Sequence, residues 1–113
     1  MIALNVIIDD YSELRRLRDF AGFKNLTMLR NDRAKFEQGL KCTGITDVRN
    51  LTNPSYAELE MTFVDLKSEC ERNHRDGEKT YVLVQFGGHG LQDNFTYAMC
   101  STIDRMKIAF PLE

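Results

Sequence analysis

Apolar and polar residues follow one another along the chain in blocks that predict an α/β fold. Residues 2–8 are mostly β-branched and nearly all apolar, a pattern typical of a strand buried on both faces of a parallel sheet. Residues 80–86 have the same character and predict a second buried strand. Residues 45–51 are more mixed, which predicts a short strand nearer a sheet edge.

The best-defined helix is predicted after residue 55. Ser55 and Glu58 are spaced as a capping box. In this motif the Ser oxygen accepts a hydrogen bond from one unpaired backbone amide, and the Glu side chain reaches back to a second unpaired amide. Apolar residues then recur at steps of three and four, which places them on one helix face. They are Tyr56, Leu59, Phe63, Leu66 and Cys70.

Two shorter helices are predicted earlier in the chain. The first runs from Ser12, a potential cap, to Gly22, and the second from residues 31–32 to Gly44. Their apolar positions are Leu14, Leu17, Ala21, Phe36 and Leu40. The opposite side of the first helix carries Arg15, Arg16 and Arg18, and this pattern predicts a solvated helix face.

The alternation of strands and helices predicts right-handed βαβ units. We therefore expect a three-layer sandwich, in which helices cover a mostly parallel sheet, formed by residues 1–113 as a single domain. Functional residues of such sheets lie where the carboxyl ends of the strands emerge.

Composition excludes several classes of protein. Hydrophobic residues make up 42% and charged residues 28%, as in folded globular chains. The formal net charge of −2 gives no global attraction for nucleic acid or for an anionic membrane, so neither is a predicted partner. The first apolar stretch is too short for a membrane span and lacks the basic start of a signal peptide, which indicates a cytoplasmic protein.

Cysteine and histidine usage predicts neither a disulfide framework nor a metal site. Cys42, Cys70 and Cys100 are few and widely spaced. His74 lies in a polar turn and His89 in a Gly-rich segment, neither with acidic or Cys residues at ligand spacing. We expect no metal and no cofactor.

The sharpest candidate site is the segment Gly87-Gly-His-Gly90 after the strand at residues 80–86. Glycines around a histidine remove bulk and permit unusual backbone angles, so the imidazole can stand exposed at the sheet edge. A neutral imidazole can accept a thiol proton, and the adjacent amide of Gly90 can stabilise an oxyanion. The alternative is a Gly-rich turn with an incidental histidine.

Three passages together resemble a known family. They are Phe86-Gly-Gly-His-Gly90, Asn50-Leu-Thr-Asn-Pro-Ser-Tyr-Ala-Glu-Leu59, and Leu29-Arg-Asn-Asp32 followed by Gly44-Ile45. In this order they resemble the large-subunit (p20) region of the caspase and metacaspase family of clan CD cysteine peptidases. The resemblance covers most of residues 2–100.

The resemblance implies roles for two residues. His89 matches the catalytic histidine, and the Gly90 amide matches an oxyanion donor. The family's nucleophile is a cysteine at the end of the next sheet strand, some 40 or more residues beyond the histidine. Cys100 follows His89 by only eleven positions, a spacing that suits a hairpin. Cys100 as nucleophile remains an alternative to Cys100 as a small, partly buried hydrophobe. We expect the 113 residues to be an incomplete caspase-like domain that does not cleave peptides by itself.

The implied partners are a peptide or protein substrate and a complementary C-terminal subunit or strand, or a second copy of the chain. A non-catalytic caspase-like scaffold is the main alternative function. A further alternative rests on Asp9-Asp10 after the first strand, which resembles the acidic pair of a receiver domain and would suit Mg²⁺. However, residues 53–55 are Asn, Pro and Ser, where a receiver needs a phospho-accepting aspartate. Capping of the following helix is the simpler role for Asp9 and Asp10.

Overall fold

The computed structural model describes residues 1–17, 20–92, 96–104 and 107–112. Its strands are β1 (Ile2–Ile7), β2 (Asp47–Thr52), β3 (Val82–Gly87), β4 (Gly90–Gln92), β5 (Thr96–Asp104) and β6 (Lys107–Pro111). Its helices are a 3₁₀ turn (Leu14–Arg16), α1 (Leu29–Cys42) and α2 (Tyr56–Arg75).

The first three strands form a parallel sheet in the order β2-β1-β3. Every residue of β1 is buried, as expected for a central strand covered on both faces. The sequence-based prediction of a parallel α/β arrangement is confirmed for this sheet, and β2 lies at one edge of it.

Helix α1 ends where its sequence predicts. Gly44 has a φ of +84°, and the amide N–H groups of Gly44 and Ile45 donate to the carbonyls of Lys41 and Leu40. Glycine adopts this left-handed conformation without a Cβ clash, so it closes the helix. The helix begins at Leu29, a little before the predicted residues 31–32.

Helix α2 confirms the apolar stripe and the Ser55 half of the capping box, whereas the Glu58 carboxylate accepts the Ser55 hydroxyl instead of a backbone amide. The Ser55 hydroxyl accepts the amide N–H of Glu58, and Leu59 and Leu66 are buried. Tyr56 and Phe63 are half-buried because their rings pack on Phe110 of β6, at centroid distances of 5.1 and 5.6 Å. The helix also extends past Cys70 to Arg75.

The predicted helix from Ser12 to Gly22 is wrong in the part that the structure describes. A 3₁₀ turn is followed by single three-residue turns, in which Leu17, Phe20 and Phe23 donate amide N–H groups to the carbonyls of Leu14, Leu17 and Phe20. A period of three brings these apolar side chains to one side, where they pack against the core. Packing, and not helix propensity, therefore decides the path of this segment.

Strand β3 is not buried as its composition predicts. Val82, Leu83 and Val84 are 37, 41 and 43% exposed, and Tyr81 is 60% exposed. Among the described residues, β1 is the only strand that pairs with β3, so β3 is an edge strand. Its apolar sequence is typical of a strand with neighbours on both sides.

The segment after His89 forms a second sheet that the sequence analysis did not predict as a sheet. Strands β4, β5 and β6 pair antiparallel in this order. The pairing of β4 with β5 fits the expected hairpin around Cys100. The chain is therefore an α/β fold with one parallel sheet, to which an antiparallel sheet is added.

One apolar core joins the two sheets. Strand β1 and helix α2 contribute side chains to this core. Four further residues of the core are fully buried, namely Tyr11, Leu14, Met99 and Cys100. Among the described residues, no helix combines the length and the apolar character needed to cross a bilayer.

Candidate functional site

His89 lies just beyond the carboxyl end of β3, where the sequence places it. Its side chain is half-buried, and its imidazole packs against two aromatic rings. The Tyr11 ring meets it at a centroid distance of 4.6 Å and an angle of 63°, and the Phe23 ring at 5.1 Å. The imidazole therefore has a defined orientation although it remains accessible to water.

A backbone carbonyl fixes the tautomer of His89. Its Nε2 atom lies 2.7 Å from the carbonyl oxygen of Lys24. Because a carbonyl only accepts, Nε2 carries a proton and donates it, so in the neutral form of the ring the free lone pair is on Nδ1. Within the described part of the chain, no residue forms a hydrogen bond with Nδ1.

The segment that carries the Lys24 carbonyl is itself held in place. Arg15 Nη1 donates to the Phe23 carbonyl at 3.0 Å and to Asn25 Oδ1 at 2.8 Å. The same Asn25 oxygen accepts the amide N–H of Tyr11 at 2.8 Å. The residues on both sides of Lys24 are thus anchored, and its carbonyl is presented to His89.

This arrangement corrects the interpretation of one arginine. Arg15 was predicted on a solvated helix face, but it is partly buried and bonds the turn before Lys24. Arg16 is exposed, as predicted, and Arg18 lies outside the described residues. Adjacent arginines differ because the 3₁₀ turn directs only Arg15 toward residues 23–25.

Gly90 follows His89 as the first residue of β4. It pairs with Ala98, while the Met99 amide donates to the His89 carbonyl at 3.0 Å. This pattern places Gly90 at a non-hydrogen-bonded position of the antiparallel ladder, where its amide points away from β5. Gly90 is exposed, so a bound molecule can approach this amide.

The acidic pair after β1 has intramolecular partners. Asp9 accepts hydrogen bonds from Arg30 Nε and Asn53 Nδ2, both at 2.9 Å, and Asp10 Oδ1 accepts the Ser12 amide at 3.0 Å. Burial acts to raise the pKa of Asp9, but these bonds and the charge of Arg30 outweigh it and hold that pKa below its usual range.

Asn53 completes the same cluster from the end of β2. Its Oδ1 accepts the amide N–H groups of Asp9 and Asp10 at 2.9 and 3.1 Å. Its backbone adopts a positive φ of 51°, which Asn tolerates better than most residues. The cluster therefore braces the ends of β1 and β2. The bond from the Ser12 amide to Asp10 closes a local turn, whereas the predicted capping of a helix is wrong, because the 3₁₀ turn begins after Glu13 without a side-chain cap.

All three cysteines are free thiols. Cys100 is fully buried in β5 among core residues, which agrees with a small hydrophobe. Cys42 and Cys70 lie toward the carboxyl ends of α1 and α2. In βαβ units these helix ends approach the amino edge of the sheet, opposite the edge that carries His89.

No three His, Cys, Asp or Glu side chains converge as metal ligands in the described ranges. Comparisons with models of protein families, with curated proteins and with solved structures found no match for the chain. The functional assignment therefore depends on the residues and their geometry.

Sequence reasoning missed three contributors to the site, namely Tyr11, Phe23 and the Lys24 carbonyl. Their contacts with His89 join residues more than 60 positions apart, for which a single sequence carries no local signal. Asn53, in the neighbouring Asp9 cluster, had a local sequence signal, because an Asn directly before Pro54 and the cap Ser55 is typical of a turn.

Proposed function

We propose that this chain is the histidine-bearing portion of a caspase-like cysteine endopeptidase, with His89 as the general base. The observation that carries the proposal is the hydrogen bond between His89 Nε2 and the Lys24 carbonyl. It orients the imidazole at the carboxyl edge of a parallel sheet and leaves Nδ1 as the nitrogen that can accept a proton when the ring is neutral. A general base needs such a free, oriented nitrogen.

The proposed reaction is acyl transfer from a peptide. His89 Nδ1 takes the proton of a cysteine thiol, and the thiolate attacks the scissile carbonyl carbon. The Gly90 amide donates to the resulting oxyanion. The imidazolium then protonates the departing amine, and water hydrolyses the thioester to release the acid and the thiol. The Lys24 carbonyl, at the negative end of its dipole, stabilises the transient imidazolium.

The nucleophile in this proposal comes from a cysteine outside the 113 residues. Cys100 is inaccessible, and Cys42 and Cys70 lie toward the opposite edge of the sheet. A thiol can share one scissile carbonyl with His89 only from the carboxyl edge, beside β3. A strand paired parallel with β3, on the side that no described strand occupies, would bring its own carboxyl end to this position.

The surface of β3 favours such a complement. Val82, Leu83 and Val84 are partly exposed on a strand without charged residues, whereas parallel sheets are normally covered on both faces. The Cα radius of gyration, 15.5 Å, exceeds the value of about 13 Å for a compact domain of this length. We propose that a C-terminal strand or subunit completes a three-layer caspase-like sandwich here.

The test is covalent labelling with a peptide that carries a thiol-directed electrophile, together with peptide hydrolysis. Both are measured on the 113-residue chain and on a product of the same reading frame extended past Glu113. We expect neither labelling nor hydrolysis with the short chain, and both with the extended chain. If the extended chain is inert, the scaffold function is favoured and the peptidase proposal fails.

Two histidine variants sharpen this test. His89→Gln places an amide where Nε2 lies and can still donate to the Lys24 carbonyl, but it has no base at the Nδ1 position. We expect it to abolish hydrolysis, while His74→Gln, in the exposed last turn of α2, retains it. Labelling of Cys100 in the short chain that disappears with His89→Gln would instead make Cys100 the nucleophile.

A further inference from the structure

The hydroxyl of Tyr11 connects three segments of the chain through one atom. Tyr11 follows the acidic pair after β1 and is fully buried. Its Oη accepts the amide N–H of His89 at 2.7 Å and donates to the Met99 carbonyl at 3.4 Å. A hydroxyl has one proton and two lone pairs, so it can make both bonds at once. The loop after β3 is thereby attached to β5 and to the end of β1.

This hydroxyl stays protonated over the whole physiological range. Burial raises the pKa of Tyr11 to about 12, although the hydrogen bond from the His89 amide acts in the opposite direction. Near neutral pH the Tyr11 hydroxyl can therefore both donate and accept a hydrogen bond. It does not act as an acid or a base itself.

The ring of Tyr11 contacts the same histidine. Its edge-on packing against the imidazole, at 4.6 Å, complements the hydroxyl bond to the backbone. The Phe23 ring packs on the imidazole at a centroid distance of 5.1 Å. Tyr11 thus restrains both the main chain and the side chain of His89.

Gly88 leaves the space that this contact needs. A Cβ atom at Gly88 would lie 2.8 Å from Tyr11 Oη, 2.9 Å from Phe86 Cζ and 3.2 Å from the Ile8 carbonyl oxygen. The first two distances are shorter than real Cβ contacts, so the Tyr11 hydroxyl and the Phe86 ring, or the loop itself, would have to shift. The close approach of Tyr11 explains why a glycine precedes His89.

We propose that Tyr11 is the positioning residue of His89. Its hydroxyl fixes the backbone from which the imidazole projects, and its ring fixes the plane of the imidazole. Together they direct Nε2 at the Lys24 carbonyl and keep Nδ1 as the acceptor. The catalytic meaning of this role rests on the proposed function, but the positioning itself is a property of the 113-residue chain and can be tested there.

The first test measures the histidine tautomer by ¹⁵N NMR on the 113-residue chain near pH 8. We expect His89 of the wild type to give the shifts of a single tautomer with the proton on Nε2. Tyr11→Phe keeps the ring and removes the oxygen, and it should add the Nδ1-protonated tautomer or average the two. Tyr81→Phe, on an exposed tyrosine, is the matched control and should leave the His89 shifts unchanged.

Gly88→Ala crowds the Tyr11 hydroxyl and the Phe86 ring without changing Tyr11 itself, and it should alter the His89 shifts in the same direction. It gives a second measurement if Tyr11→Phe is poorly folded. If both variants fold and keep the wild-type His89 shifts, Tyr11 does not position the imidazole and the proposal is overturned.

The second test is kinetic and uses the extended chain. A displaced base lowers the rate of the chemical step more than substrate binding, so Tyr11→Phe should lower kcat by roughly 10- to 100-fold and leave KM within about 2-fold. If Tyr11→Phe leaves kcat unchanged and His89→Gln is inactive, the role of Tyr11 is refuted, whereas the peptidase mechanism is still supported. Hydrolysis that survives His89→Gln would refute the peptidase mechanism, and the NMR result would still decide the role of Tyr11.

Discussion

His89 Nε2 and the carbonyl oxygen of Lys24 lie 2.7 Å apart, although 65 positions separate the two residues in the sequence. The bond joins the loop after β3 to the irregular segment between β1 and α1. It places a ring proton of His89 on Nε2. The stability of these two segments therefore bears directly on the chemistry that the imidazole can perform.

Arg15 should contribute to the stability of the segment that presents Lys24, because it bonds the Phe23 carbonyl and Asn25 Oδ1. We expect Arg15→Met to lower the free energy of unfolding by about 1 kcal/mol, since partly exposed hydrogen bonds are worth about this much. Arg16→Met, at the exposed neighbour, should change it by less than about 0.5 kcal/mol. Urea denaturation measures both, and equal effects would contradict the distinction.

Leu66 is the most informative core position of α2, because it is 5% exposed and packs in the shared core. Leu66→Ala should cost about 2–5 kcal/mol through lost burial and the cavity left behind. Met61→Ala, on the same helix at 60% exposure, is the control and should cost less than about 1 kcal/mol. Similar midpoints of urea unfolding for the two variants would place the core elsewhere.

Asp9 should make the stability depend on pH in the acid range. Its folded pKa lies below the unfolded value near 3.8, so the ionised carboxylate stabilises the fold above that value. The contribution is lost as the pH falls through the folded pKa. Asp9→Asn should therefore be less stable than the wild type at pH 7 and lose less stability between pH 6 and pH 3.

The partner of Asp9 provides the control for this measurement. Arg30→Met should reduce the acid dependence in the wild-type background and have little further effect in the Asp9→Asn background, because the two side chains form one ion pair. Additive effects in thermal unfolding at the two pH values would show that the pair is not coupled.

The exposed edge of β3 should promote self-association of the 113-residue chain when no other strand covers it. Apolar edge strands without charges pair readily with other chains. Leu83→Lys places a charge on this edge and should shift the chain toward monomer in light scattering after size exclusion. Val64→Lys adds the same charge to the exposed surface of α2 and should not, so equal behaviour of the two variants would exclude β3 as the interface.

Local patterns were sufficient for the elements whose burial depends on their own periodicity. The all-apolar β1, the Ser55 cap, the stripe of α2 and the Gly44 terminus each follow from interactions within a few residues. Propensity, capping and amphipathicity act over this range, so one sequence carries their signal. The position of His89 after a strand was predictable for the same reason.

The tertiary structure decided the features that depend on distant neighbours. The exposure of β3 depends on which strand lies beside it. The turns closed by the amides of Leu17, Phe20 and Phe23 depend on the core that receives these side chains. The tautomer of His89 and the bonds of Tyr11 join residues 65 and 78 positions apart. The sequence alone determined which residues can do chemistry here, whereas packing between distant segments decided how the imidazole is oriented, because hydrogen bonds and ring contacts require atoms to meet in space.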